Sequence, residues 1–302
     1  MTKGILAVAQ GSYFVYLAIN LAKSIRRVDK KVALAVVTDD GMNKELEAVY
    51  DHVIQITNPN HQKYITKLYL NEYTPFDETL FIDADSLVVS PIDHLWVSFE
   101  NQNFSVLGGE MTYRAFNPNH FFSMAKLKKH YNLVTYPGFN GGVYYFKKNQ
   151  ISARVFKTAQ ELIDKYDYYE MPYYGNSKGD EPLIALAMAI NGCKSVPNPA
   201  TGMFLVSAGY HSIFNLNILK NRCSLLSKDK LVTPSIAHFG TEYTFSLIYR
   251  REVYKLCLNT KFPKASQHLI NIVSDLIYNP IIFCYGQFQR LRFYKFGVFK
   301  FM

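Results

Sequence analysis

The stretch "LFIDADSLVV" (residues 80–89) places two aspartates, Asp83 and Asp85, one residue apart directly behind an apolar run that reads as a buried strand. A carboxylate at the tip of a buried strand is costly unless a cation meets it. In an extended chain residues i and i+2 point the same way. Both side chains can then present oxygens to one point, with the small Ala84 leaving room between them. Such an oxygen-rich pair suits Mg²⁺ or Mn²⁺, commonly shared with substrate phosphates. A turn carrying two solvated carboxylates is the competing explanation, because Asp-x-Asp is a common tripeptide. Its position behind an apolar strand, with "SLVV" resuming after it, weighs toward a metal.

Working outward, the chain before this point alternates strand and helix signals. "GILAVAQ" (4–10) ends at Gly11-Ser12, a turn and helix-start pair, and Val15, Ala18, Ile19, Ala22 and Ile25 recur at helical spacing. "KVALAVVT" (31–38) is a second strand, a short helix is expected over 43–50, "HVIQI" (52–56) is a third strand, 63–72 a helix and 79–82 a fourth strand. Strands separated by helices imply parallel pairing in a doubly wound sheet, whose ligands bind beyond the carboxyl ends of strands. Asp39 and Asp83 stand at such ends. Beyond residue 100, "NFSVLGG" and "GGVYYFKK" read as strands and 150–166 and 180–191 as helices. Between these helices "YDYYEMPYYGNSKGD" (166–180) is a candidate lid or acceptor-binding loop. "PSIAHFG" is a late strand, with helical patterns over 241–259 and 265–278.

Composition narrows the class. The chain has 302 residues, 49% of them apolar and 19% charged, with 23 Tyr, 22 Phe and a net charge of +9, which is enough for a sizeable core and favours anionic partners. No concentrated basic stripe of nucleic-acid type occurs, so nucleic acid is not an expected partner. Cys193, Cys223, Cys257 and Cys284 form no Cys-x-x-Cys pair, so zinc and redox motifs are not expected and a reducing, cytoplasmic compartment is. The N-terminal apolar run lacks the length and cleavage site of a signal peptide, and no apolar run of about 18 residues predicts a spanning helix.

The segment "ITKLYLNEYTPFDETLFIDADSLVV" (65–89) resembles the core signature of glycosyltransferase family 8, the glycogenin-like group of GT-A-fold sugar transferases. Further matches follow in order: "FNGGVYYF" (139–146), "GDEPLIALA" (179–187) and "IAHFG" (236–240), so that the likeness spans about residues 4–245. It implies an α/β fold, a GT-A-type Rossmann-like mixed sheet flanked by helices, with a domain over 1–260 and a basic, aromatic helical extension over 261–302. It implies a metal-dependent transferase moving a hexose from a nucleotide sugar, UDP-linked by expectation, to a glycan, lipid-linked or protein hydroxyl with retention.

The resemblance assigns Mn²⁺ (or Mg²⁺) to Asp83, Asp85 and His238; a carboxylate–imidazole set suits Mn²⁺ better than Ca²⁺. It places Lys67 in the donor site, brings Asn140, Gly141 and Gly142 close to the donor sugar with Ala84 beside them, and sets Asp180 opposite the reacting sugar carbon. Asp180, Lys67 and Asn140 are thus the catalytic candidates. Gln10, Tyr13 and Phe14 would contact the base, and Asp39 the base or ribose. Each has a plainer explanation: His238 as a core histidine, Lys67 as a surface lysine, the glycines as a tight strand entry, Asp180 as a helix N-cap before Pro182. The chain also departs from the pattern. Gly141 stands where Ser is common, Glu181 where Gln is usual, and Thr244 where a phosphate-binding Lys is expected, leaving Arg250 or Arg251 to serve.

The tail "NPIIFCYGQFQRLRFYKFGVFKFM" (279–302) has no acidic residue and interleaves Arg290, Arg292, Lys295 and Lys300 with Phe288, Phe293, Phe296 and Phe299. That suits a helix lying in a membrane interface, hence a peripheral membrane location; a terminal element folded over the domain with snorkelling basic groups competes. A homodimer is a further expected partner state. Two other function classes stay open at this point. A nucleotidyltransferase would share the acidic site but wants a Gly-rich phosphate loop that "VAQGSYF" does not provide. A non-catalytic nucleotide-sugar or membrane-binding protein would retain the fold without turnover, and the absent Lys is its best support.

Overall fold

Apolar side chains alternate from face to face along each central strand, and that alternation builds two cores. In a computed structural model of the chain, residues 1–112, 122–206, 214–227 and 230–296 are described. Parallel strands β1 (Lys3–Ala9), β2 (Ala33–Thr38), β3 (His52–Gln55) and β4 (Glu78–Ile82) form one half of a seven-stranded sheet. On one face Ile5, Ala7, Leu34, Val36, Leu80 and Ile82 meet helix α1 (Gly11–Val28). On the other Leu6, Ala35, Val37 and Phe81 belong to a second cluster. Full burial of one such leucine or phenylalanine contributes roughly 1.5–3 kcal/mol.

The sheet continues through β6 (Phe104–Thr112), β7 (Thr135–Lys147) and β10 (Val196–Pro197), in the order β10-β6-β7-β4-β1-β2-β3. Strand β7 runs antiparallel to both β4 and β6, so the sheet is mixed, as the resemblance implies, while its first four strands keep the parallel pairing that strand–helix alternation implies. The reason is topological: β7 enters next to β4 from a distant segment, which no local pattern encodes. Helices α6 (Gln150–Glu161) and α7 (Asp180–Ile190) cover the second face through Val155, Phe156, Leu183 and Leu186.

Three further pieces position the site. The first is a tight 3₁₀ helix over Lys63–Tyr69 that passes into the short helix Leu70–Tyr73, where one α-helix is expected. The second is a hairpin, β8 (Tyr173–Tyr174) and β9 (Ser177–Lys178), inside the Tyr-rich loop. The third is a small sheet of β11 (Met203–Leu205), β15 (Ile236–His238) and β5 (Ser86–Val88), in which β15 and β5 pair antiparallel and set His238 opposite Ser86.

The late helical pattern resolves into α8 (Gly240–Tyr243) and α9 (Leu247–Lys261), followed by α10 (Gln267–Phe296), which continues through Pro280. Helix α10 docks on α9 by charge: Lys255, fully buried, reaches Glu252 at 3.1 Å and Asp275 at 2.9 Å. Arg251 joins them, 2.7 Å from Glu252. The side chains of Phe288, Arg290, Arg292, Phe293, Lys295, Phe296, Phe299 and Lys300, on which the membrane expectation rests, lie outside the described residues. Among the described residues no helix is long and apolar enough to cross a membrane.

Candidate active site

Beyond the carboxyl ends of β1, β2 and β4 lie Gln10, Asp39 and Asp83, the edge at which open α/β sheets bind ligands. The Asp-x-Asp pair is not extended, as i and i+2 geometry supposes. The Ser86 amide donates to the Asp83 carbonyl at 3.1 Å, closing a turn, and the Phe239 amide donates to the Asp85 carbonyl at 3.0 Å. The β5–β15 pairing thus brings His238 over the turn, and one ligand atom each from Asp83, Asp85 and His238 lies within 4.8 Å of the others. His238 Nε2 is 3.0 Å from Asp85 Oδ1 and 3.8 Å from Asp83 Oδ2.

These residues fit a divalent ion. Asn140 Oδ1 accepts both the Gly142 amide, at 3.2 Å, and His238 Nδ1, at 2.7 Å. Nδ1 therefore carries a proton, so that a ring that gives up its second proton would turn an Nε2 lone pair toward an ion held with the two carboxylates. Asp85 Oδ1 is buried with no hydrogen-bond partner among the described residues; the His238 contact has ion-pair distance but not hydrogen-bond alignment. A buried carboxylate oxygen left so is costly unless a cation takes it. Cis ligands of an octahedral ion bound at ~2.1 Å stand about 3 Å apart, close to the separations present. Gly142 is required by the same closeness, since a Cβ there would meet His238 Nδ1 at 2.7 Å.

Without a cation the cluster shares charge by protonation. Burial pushes Asp83 up to about 6, against the pull of Lys67. Burial also works against charge on Asp85 and His238, but each outweighs it for the other. Asp85 stays below the usual carboxylate range and His238 above the usual histidine range.

Lys67 is not a surface lysine. It is buried, 2.8 Å from Asp83 and 3.3 Å from Asp180, with its ammonium 5.3 Å from the Phe81 ring centre. Burial opposes its charge, yet Asp180 and Asp83 raise its pKa above the ordinary lysine range. Asp180, 2% exposed, is the first helical residue of α7 rather than its cap, which is Gly179. Its carboxylate accepts the Tyr144 hydroxyl. Glu181 accepts the Gly141 amide at 2.6 Å and the Tyr174 hydroxyl at 3.2 Å. A side chain at Gly141 would collide with Glu181 Cγ at 2.8 Å, which accounts for the glycine where serine is common.

At the other end of the edge, Gln10 is fixed between the His61 carbonyl and Thr66 Oγ1, at 2.7 and 2.9 Å. Both Asp39 carboxylate oxygens accept the Gly11 amide, at 2.9 and 3.0 Å, holding the helix start where φ is +79°, a conformation that favours glycine. Tyr13 donates to Thr244 and stacks on Phe245 at 5.0 Å, and both Tyr13 and Phe14 are half-buried against the core. Ala84 is buried in the turn. Arg251 is consumed by Glu252 and the Leu216 carbonyl, so it does not replace the absent Lys; Arg250 is exposed on α9.

Sequence reasoning passed over Tyr144, Tyr174 and Thr241, whose Oγ1 lies 3.5 Å from Asp85 Oδ2. The two tyrosines read as ordinary core and loop aromatics, because each partner, Asp180 or Glu181, arrives from a different element.

No family model and no curated protein sequence matches the chain. Solved structures do. The galactosyltransferase LgtC in complex with donor and acceptor sugar analogues shares 16% identity at a TM-score of 0.50, covering 78% of this chain and 87% of that one. An active-site Gln-to-Glu mutant of LgtC aligns at 14% identity and TM-score 0.51, over 84% and 95% of the two chains. Apo GlyE of Streptococcus pneumoniae TIGR4 aligns at 12% identity and TM-score 0.51 over 90% of this chain, which spans 62% of that one. At such identities the likeness is one of fold: the mixed α/β sheet flanked by helices is the GT-A glycosyltransferase fold.

Proposed function

We propose that the chain is a glycosyltransferase that moves a hexose from a nucleotide sugar, UDP-linked, to a hydroxyl acceptor with retention of configuration. The observation that carries this is the convergence of Asp83, Asp85 and His238 beside the Lys67–Asp180 pair, at the ligand edge of a GT-A sheet. A Mn²⁺ or Mg²⁺ ion held by the three side chains would neutralise charge on the departing diphosphate. Lys67 holds Asp83 and Asp180 in place and supplies a fixed positive charge next to the donor. Asp180, fixed by Tyr144 and Lys67, lowers the cost of positive charge at the reacting sugar carbon. Asn140 is a positioning residue, setting the tautomer of His238. The exposed Phe245 ring, stacked on Tyr13, offers the base a better-exposed surface than Phe14. The galactosyltransferase neighbour, solved with donor and acceptor sugar analogues, supports a sugar-donor site in this fold.

Thermal-shift titration with UDP-, GDP- and CMP-hexoses, with and without Mn²⁺, tests this. One donor should stabilise the protein only with the metal, and Asp85→Ala should abolish the effect. Donor cleavage that demands a nucleoside triphosphate, or no donor effect at all, would replace the proposal with a nucleotidyltransferase or a binding protein. For location, α10 exposes Leu269, Ile272, Leu276, Ile277 and Ile281, while its acidic Asp275 faces Lys255. With Arg290, Arg292, Lys295 and Lys300 following in the sequence, an anionic lipid surface fits this face better than a second copy of a chain carrying net charge +9.

A further inference from the structure

The Tyr-rich loop between α6 and α7 is pinned at its feet and exposed at its tip. Tyr166, fully buried, accepts the Gly179 amide at 2.8 Å and donates to the Pro172 carbonyl, fixing both ends of the β8–β9 hairpin. Beyond these ends Tyr173, Gly175 and Asn176 are exposed. Side chains seat the tip on the site. Lys63 donates to Ser177 Oγ at 3.4 Å, and the ring centres of Tyr64 and Tyr174 lie 5.5 Å apart. Tyr174 packs so closely on the start of α7 that a Cβ on Gly179 would be 2.0 Å from a ring carbon. Its hydroxyl is 3.2 Å from Glu181 Oε2, so the half-buried ring covers a carboxyl group that is itself buried.

Glu181 sits among groups that disfavour its charge. Asp180 precedes it on α7, and Lys67 of the 3₁₀ helix, Tyr144 of β7 and Tyr174 of the hairpin face it. Lys67 is already shared between Asp83 at 2.8 Å and Asp180 at 3.3 Å, which leaves a second charge beside Asp180 poorly offset. A neutral carboxyl loses nothing here: Oε1 accepts the Gly141 amide at 2.6 Å, and its own O–H can donate to Tyr174. We propose that the β8–β9 hairpin is a lid on the Asp180 side of the site, latched through Tyr174 by Glu181, which holds it shut as the neutral acid and frees it as the carboxylate. The lid's role in sugar transfer, keeping water from the donor, rests on the function proposed above. Burial first, and then Asp180, push Glu181 from 4.5 up to about 7 with the hairpin seated. Opening hydrates the group and returns it toward its ordinary value. The seated form has the higher pKa, so its advantage is whole below about 4.5 and is lost as pH rises through 7. With full hydration in the open form, the opening equilibrium grows roughly 25-fold between pH 5.5 and 8.

The test is amide hydrogen exchange of the full chain at pH 5.5 and pH 8, read by mass spectrometry and corrected for the intrinsic exchange rate at each pH. Wild-type peptides covering 172–178 should exchange at least about fivefold faster at pH 8, and peptides of α6 should stay roughly tenfold or more better protected than the hairpin at both. Glu181→Gln, which cannot ionise, should hold the hairpin rate within about twofold between the two pH values. Tyr174→Ala, which removes the cover, should exchange fast at both. A wild-type hairpin rate that pH does not move, or that moves equally in Glu181→Gln, overturns the latch. Equal protection of the hairpin and α6 assigns the opening to global unfolding and overturns it too. Wild-type protein that cleaves no nucleotide sugar with Mn²⁺ overturns the water-excluding role together with glycosyl transfer, while the exchange comparison still decides the latch.

Discussion

Asp85 concentrates the chemistry at the residue scale, since among the described residues it presents a buried oxygen without a hydrogen-bond partner, 3.0 Å from His238 Nε2. Asp85→Asn keeps the shape but removes the charge. Turnover should fall by ~10²-fold or more, the scale of losing several kcal/mol of charge stabilisation, read from donor cleavage at saturating Mn²⁺. Glu181 gives a pH signature. Burial first, and then the charge of Asp180, push it up from 4.5 to about 7. Its folded pKa lies above its unfolded value, so the folded state keeps a proton that the unfolded state releases. Stability is fully present below about 4.5 and declines as pH rises toward 7. Glu181→Gln should match the wild type near pH 4.5 and exceed it at pH 8, by on the order of 3 kcal/mol in urea unfolding. Equal stability of the two at pH 8 would show that Glu181 carries its charge without strain.

Two element pairings hold the molecule's ionic groups in place. The β5–β15 pairing delivers His238 to the aspartates, and the Gly142 backbone must pass close under that ring. Gly142→Ala should cost roughly 1–3 kcal/mol by overpacking and remove Mn²⁺-dependent thermal stabilisation together with it. Unchanged metal response in a destabilised Gly142→Ala would show that His238 does not need its present position. The second pairing is α9 on α10. Lys255→Met leaves Glu252 buried without its closest ammonium, and the unfolding free energy should drop by about 3 kcal/mol or more. Since α9 packs on α1, which begins at the ligand edge, that loss should appear as global destabilisation in chemical denaturation.

At the scale of the whole molecule, charge and apolar exposure coincide at the C-terminal end. Helix α10 shows solvent an apolar stripe, and the sequence from 279 to 302 has no acidic residue. The protein should sediment with phosphatidylglycerol-containing vesicles and not with neutral ones, and the binding should weaken with salt. Leu276→Glu should reduce the pelleted fraction several-fold. Vesicle binding that ignores Leu276→Glu would move the contact elsewhere, and concentration-dependent dimerisation abolished by it would assign the stripe to a second copy.

The local pattern alone determined the strands β1, β2 and β4, helix α1 and the position of Asp83 at a strand end, because burial imposes its periodicity within each segment. It also marked Lys67, Asp180 and His238, through motif order and not through any contact visible in the sequence. Tertiary structure decided the rest. The antiparallel entry of β7, the turn at Asp83–Ser86, the capture of Arg251 by Glu252 and the seating of Tyr174 on Glu181 all join residues from separate elements. Periodicity reports which side of a segment avoids water. It carries no information about which distant segment will cover that side, and the cluster of Asp83, Asp85 and His238 exists only once that choice has been made.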